Sequence, residues 1–122
     1  MNEAETIANL IDPHLRSQGW HSNGSLIKRE FPITPGRILG QGRRGTPEKA
    51  DIVLQYNNRN VAVIEAKRND AYVSDGRDQA IRYARRLNLR YTYSTNGDAY
   101  YQIDLLTQEE TTIDTFPTPE EL

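Results

Sequence analysis

A chain of 122 residues, 36% of them apolar, suits one domain around one modest core. It has no cysteine, which excludes disulfides, thiolate metal sites and cysteine nucleophiles, and no apolar run approaches the roughly 18 residues of a membrane span. The net charge of −2 hides an uneven distribution: fourteen Lys or Arg against seven Asp or Glu from Ile27 to Arg90, then seven acids and no base from Tyr91 onward. A basic middle offers a surface for a polyanion; a solvated face of mixed charge is the alternative. Met1 is followed by an acidic, helix-like start without a basic segment and apolar stretch, so a cytoplasmic protein without signal peptide is expected.

The elements follow in chain order. Ile7, Leu10, Ile11, His14 and Leu15 recur at helical spacing and predict a helix over Glu3 to Ser17, with Asn2 as N-cap, acids at Glu3 and Glu5, and a kink or break at Pro13. Gly19 ends it and Trp20 covers the core. Leu26 to Phe31 reads as a short strand, and Pro32 to Lys49 as a long Gly-, Pro- and Arg-rich loop of the kind that is often functional. Ala50 to Tyr56 and Asn60 to Lys67 form a hairpin turning at Asn57 and Asn58. Ser74 or Asp75 caps a helix through Leu87 with Ala80, Ile81, Ala84 and Leu87 inward. Arg90 to Thr95 and Ala99 to Leu105 are strands around a turn at Asn96 and Gly97. Phe116 to Leu122, with two prolines and two glutamates, reads as the start of a linker, leaving residues 1–115 as the domain. The order predicts an α/β fold: a central mixed β-sheet flanked by α-helices.

Asp51 opens the first hairpin strand, and Glu65 and Lys67 close the second on one side of it, with Val61 and Val63 on the same face. Pairing around the turn brings Asp51 beside them. The strand Val-Ala-Val-Ile-Glu-Ala-Lys is apolar until its charges, as a strand buried on both faces would be. Two carboxylates and an ammonium there are costly unless they serve each other or a cation. Two carboxylates can hold Mg²⁺, a hard ion that lowers the pKa of a bound water and polarises a phosphate. A lysine beside it can orient the water or stabilise negative charge, and the Ala66 carbonyl can add an oxygen ligand. A salt-bridged hairpin end is the plain alternative. His14 and His21 lack partners at metal spacing.

Asp51, thirteen residues, then Glu65-Ala66-Lys67 resembles the PD-(D/E)XK nuclease signature, with Ala50 in the proline position. Gln79 and Tyr83, at i and i+4 of one helix, resemble the Q-x-x-x-Y element of one branch of these nucleases. Glu-Ala-Glu-Thr from Glu3, Leu-Ile-Asp-Pro, Gly-Trp, Ala-Asp-Ile-Val-Leu and Ser-Thr-Asn-Gly are similar to the N-terminal nuclease domain of type I restriction enzyme R subunits, and the resemblance runs from Glu3 to the tail. It implies a restriction-endonuclease-like fold and Mg²⁺-dependent cleavage of double-stranded DNA, with Mn²⁺ able to substitute. Asp51 and Glu65 would bind the metal with Ala66, and Lys67 would be the catalytic lysine. Glu3, nearer the apolar helix face than Glu5, would complete the site, and Gln79 and Tyr83 would position substrate or the carboxylates. It also implies an ATP-driven translocase beyond the tail, with methyltransferase and specificity subunits as partners. Arg37, Arg43, Arg44 and Lys49 are the favoured DNA-facing set. Arg77, Arg82, Arg85, Arg86 and Arg90 serve as a solvated face, a motor contact or further phosphate ligands. The rival readings are an inactive DNA-binding or assembly module and a stand-alone repair nuclease of the same superfamily.

Overall fold

A computed structural model of the chain describes residues 1–33 and 48–122. Six strands form one sheet in sequential order: β1 (Ser25–Pro32), β2 (Lys49–Tyr56), β3 (Arg59–Ala66), β4 (Tyr91–Thr95), β5 (Tyr100–Asp104) and β6 (Glu109–Ile113). Neighbours are antiparallel except β3 and β4, which run parallel. A parallel pair needs a crossover, and the helix over Arg77–Arg86 lies in it. The mixed α/β sheet agrees with the expectation from sequence.

The first helical region is continuous but not uniform. α1 (Glu3–Thr6) passes through a π-helical stretch (Ile7–Ile11) into α2 (Asp12–Ser17). Asn2 and Glu5 close a capping box at its start, with bonds of 2.8 and 3.1 Å. In a regular helix the Pro13 ring would press on the carbonyl four residues back; the wider turn just before it relieves that clash without the expected break. The crossover helix, α3 (Arg77–Arg86), starts later than expected. Neither Ser74 nor Asp75 caps it; Gly76 is its N-cap, without a side-chain bond.

Two apolar clusters hold the sheet from opposite sides. Ile7, Ile11, Leu15 and Trp20 pack on Ile52, Leu54, Ala62, Ile64, Tyr93 and Phe116. On the other face Tyr83 and Ala84 of α3 meet Ala50, Val53 and Val63. β3 is thus covered on both faces, which explains its nearly unbroken apolar run. Asn57 and Asn58, both at positive φ (51° and 65°), form the tight hairpin turn between paired Tyr56 and Arg59. The β2–β3 register then slips between Gln55↔Asn60 and Leu54↔Ala62, leaving Val61 as the extra residue. Val61 consequently packs with the first-helix cluster and Val63 with the other, so the two do not share a face as expected.

The sheet also carries a strand the sequence reading omitted. β6 is exposed at four of its five positions and has no apolar alternation to reveal it. Of the segment 116–122, read as the start of a linker, Phe116 and Pro119 are buried. The Phe116 ring packs among Trp20, Tyr93 and Tyr100, and the Trp20 indole donates to the Pro117 carbonyl at 2.9 Å.

Both histidines bind backbone. His21 Nδ1 accepts from the Ile27 amide at 3.1 Å, and His14 Nε2 accepts from the Phe116 amide at 2.9 Å while stacking on Tyr100. Burial holds the His14 pKa below its ordinary 6.5. The unfolded chain therefore binds the extra proton first, and this contribution to stability falls as pH drops below about 6.5. In urea denaturation, His14→Gln should flatten the decline between about pH 7 and 5; an unchanged difference between variant and wild type across that window contradicts the assignment.

Candidate active site

The backbone ladder between β2 and β3 reaches Ile52↔Ile64 and stops. One residue further on, the strands part and side chains take over. The Asp51 amide donates to Glu65 Oε2 at 2.8 Å, and the Ala66 amide donates to Asp51 Oδ2 at 2.9 Å. β3 meanwhile stays with β4, through Glu65↔Ser94, Ala66↔Thr95 and a 2.8 Å bond from the Lys67 amide to the Thr95 carbonyl. Each carboxylate thus gives one oxygen to the opposite strand. Asp51 Oδ1 and Glu65 Oε1 have no donor among the described residues.

The electrostatics of this opening favour a cation. Glu65 is 2% exposed, and burial, followed by the Asp51 charge, pushes its pKa up to about 8. Asp51 is half-buried; burial raises its pKa, and the Ala66 amide, Lys67 and Arg29 work against the rise. Glu3 adds negative potential at both carboxylates. Glu5 instead closes the capping box. Asp51 and Glu65 stand as a pair: no group of three His, Cys, Asp or Glu is close enough to hold a metal among the described residues. Burial raises both pKa values despite Lys67 and Arg29, so a further cation in the opening would let both carboxyl groups ionise.

The chain entering α3 passes close over this pair. A Cβ on Gly76 would lie 2.9 Å from Ser94 Oγ and 3.3 Å from both Glu65 Cβ and Lys67 Cε. The Gly76 amide donates to Ser94 Oγ at 2.8 Å, which anchors the helix start to β4. Sequence reasoning missed Gly76 and Ser94 as site-shaping residues, because their closeness exists only once α3 lies across β3 and β4. Gln79 Nε2 donates to the Tyr83 hydroxyl at 2.8 Å, and Tyr83 is 3% exposed among Ala50, Val53 and Val63. That pair lies on the α3 face of the sheet, with no hydrogen bond to Asp51 or Glu65.

Of the basic residues singled out, Arg37, Arg43 and Arg44 lie outside the described residues. Lys49 is exposed at the start of β2. Arginines on α3 and just after it brace the fold. Arg77 makes bonds of 2.6 and 2.7 Å to Glu110, tying α3 to β6, and Arg90 makes bonds of 3.0 and 2.8 Å to Asp104. Arg82 pairs with Glu48 at 2.7 Å, whereas Arg85 and Arg86 are exposed without an ion pair.

No protein-family model matches the chain. The endonuclease subunit of the type I restriction enzyme EcoAI from Escherichia coli is 34% identical over 132 aligned residues, which take in all of this chain and 16% of that subunit. A solved HsdR subunit fragment of a type I restriction enzyme from Vibrio vulnificus YJ016 superposes with a TM-score of 0.92 at 37% identity, over all of this chain and 24% of that one. The chain is a homologue of type I restriction enzyme endonuclease subunits. It corresponds to a fraction of their length, and it shares its mixed sheet with the Vibrio fragment from end to end.

Burying a carboxyl at Glu65 has a measurable cost, because the fold holds it protonated at a pH where the unfolded chain has it ionised. Glu65→Gln keeps an acceptor for the Asp51 amide and removes the ionisable group. Its thermal midpoint in EDTA at neutral pH should exceed that of wild type; an equal or lower midpoint contradicts a raised Glu65 pKa in the fold.

Proposed function

We propose that this domain is a PD-(D/E)XK endonuclease that cleaves double-stranded DNA with Mg²⁺ as part of a type I restriction enzyme. The observation that carries the reading is the carboxylate pair in the β2–β3 opening, each with a free oxygen, beside Lys67. The donor set fits a hard divalent ion: oxygen ligands only, fixed from behind by backbone amides, in a place where burial raises the pKa of both carboxyl groups. Asp51 and Glu65 would hold Mg²⁺, with Mn²⁺ able to replace it and the Ala66 carbonyl as a further ligand. When bound, the ion supplies acidification of a water and relief of charge on the phosphate.

The protein groups do the rest. The Asp51 amide and the Ala66 amide keep the two carboxylates in register, so the site is formed before substrate arrives. Lys67, half-buried and confined by the Gly76 backbone, presents a positive charge to the phosphate oxygens or to the attacking water. Glu3 contributes negative potential from the first turn of α1. Gln79 and Tyr83, bonded to each other, form a supporting pair on α3 that positions substrate or the carboxylates. By homology the domain works in a longer subunit whose ATP-driven translocase brings DNA to it, together with methyltransferase and specificity subunits.

In the assembled full-length enzyme, Asp51→Asn, Glu65→Gln and Lys67→Ala should each lower DNA cleavage by at least roughly 10²-fold while ATP hydrolysis continues. Cleavage retained by all three overturns the reading.

A further inference from the structure

β1 is the edge strand of the sheet, and its alternation fails beside the site. Ser25 and Ile27 point inward and Leu26 and Lys28 outward, so Arg29 is due inside. Instead Lys28, Arg29 and Glu30 are exposed in succession. Glu30 is the cause. It sits at φ +50°, a left-handed backbone that side chains other than glycine rarely adopt. The β1–β2 register runs from Arg29↔Ile52 to Phe31↔Ala50 and omits the step that would pair Glu30 with Asp51. The edge therefore opens opposite Asp51, the residue that also leaves the ladder toward β3.

Arg16, Arg68, Arg77, Arg82 and Arg90 are held by acids, and Arg85 and Arg86, unpaired among the described residues, lie at the end of α3 away from Gly76. Lys28 and Arg29 are exposed and have no hydrogen bond or ion pair among the described residues, yet Arg29 is near enough to act on the Asp51 carboxylate. Lys49, exposed and opposite Pro32, extends the same basic edge. Unpaired cations beside a phosphodiester-cleaving centre suit one ligand chemistry, the phosphates on either side of the one being cut.

We propose that Lys28 and Arg29, the last regularly paired residues of β1 before the left-handed backbone at Glu30, are a phosphate-contact site for duplex DNA on the open edge of β1. The inference rests on the nuclease reading above. It assigns binding to these two residues and leaves the chemistry with Asp51, Glu65 and Lys67.

The test is binding of a fluorescent duplex to this chain in EDTA at several salt concentrations. The slope of log affinity against log salt counts phosphates neutralised, at about 0.9 per contact. Lys28→Gln/Arg29→Gln should make that slope shallower by about 2, and Arg29→Gln alone by about 1. Arg29→Lys should keep the wild-type slope. Arg85→Gln/Arg86→Gln, which removes two unpaired cations from α3, should leave it unchanged. Circular dichroism checks that each variant is folded; all four positions are exposed. An unchanged slope in the Lys28/Arg29 variants overturns this inference alone. Absence of duplex binding by wild type overturns it together with the nuclease reading.

Discussion

The exchange of backbone and side-chain hydrogen bonds between β2 and β3 is the constraint on which the rest of the domain depends. Up to Ile52↔Ile64 the two strands satisfy each other's amides. Beyond that pair, two amides would be left without acceptors and two carboxylates without donors, and each solves the other's problem. The exchange locks both side chains while spending only one oxygen of each. What remains is a pair of carboxyl groups that cannot both ionise without cost, in a place where Glu65 is 2% exposed and its pKa is pushed up to about 8. Such an arrangement lowers stability and is useful only if something positive comes to it, the usual trade between a stable fold and a working site.

Everything around the opening keeps it from collapsing. The first helical region and α3 press β3 from opposite faces, so the strand has no freedom to close the gap. The parallel step to β4 places α3 over the charged end of β3, and glycine at position 76 lets the helix start at contact distance from Glu65 and Lys67. Arg77 then fastens the same helix to the outermost strand through Glu110. On the far side, the left-handed backbone at Glu30 stops β1 from pairing with Asp51. Asp51 is thereby released from both neighbours, although its strand is well paired a single residue later.

Much of this was legible because it is written in local patterns. The Asn57-Asn58 turn, the apolar run of β3 and the i, i+2 spacing of Glu65 and Lys67 follow from strand periodicity and turn chemistry. So does the meeting of Asp51 with Glu65, once the hairpin is assumed. What was not legible depends on contacts between distant elements or on exceptions to periodicity. β6 has polar residues on both faces and exists because β5 offers it an edge. Val61 changes face through a one-residue slip in register that no composition signals. The π-helical stretch before Pro13, the backbone sign at Glu30 and the close approach at Gly76 are likewise invisible in side-chain spacing. Among the basic residues, spacing does not show which ones the fold uses: Arg77, Arg82 and Arg90 are struts held by acids, whereas Lys28 and Arg29 have no ion pair among the described residues.

The central claim is that the opening between Asp51 and Glu65 is a divalent-cation site. Calorimetric titration of Mg²⁺ and Mn²⁺ into wild type and Asp51→Ala, with and without a duplex present, tests it most directly. Saturable binding by wild type that the Asp51→Ala variant loses is the predicted result. Identical heats for the two proteins under both conditions would contradict it.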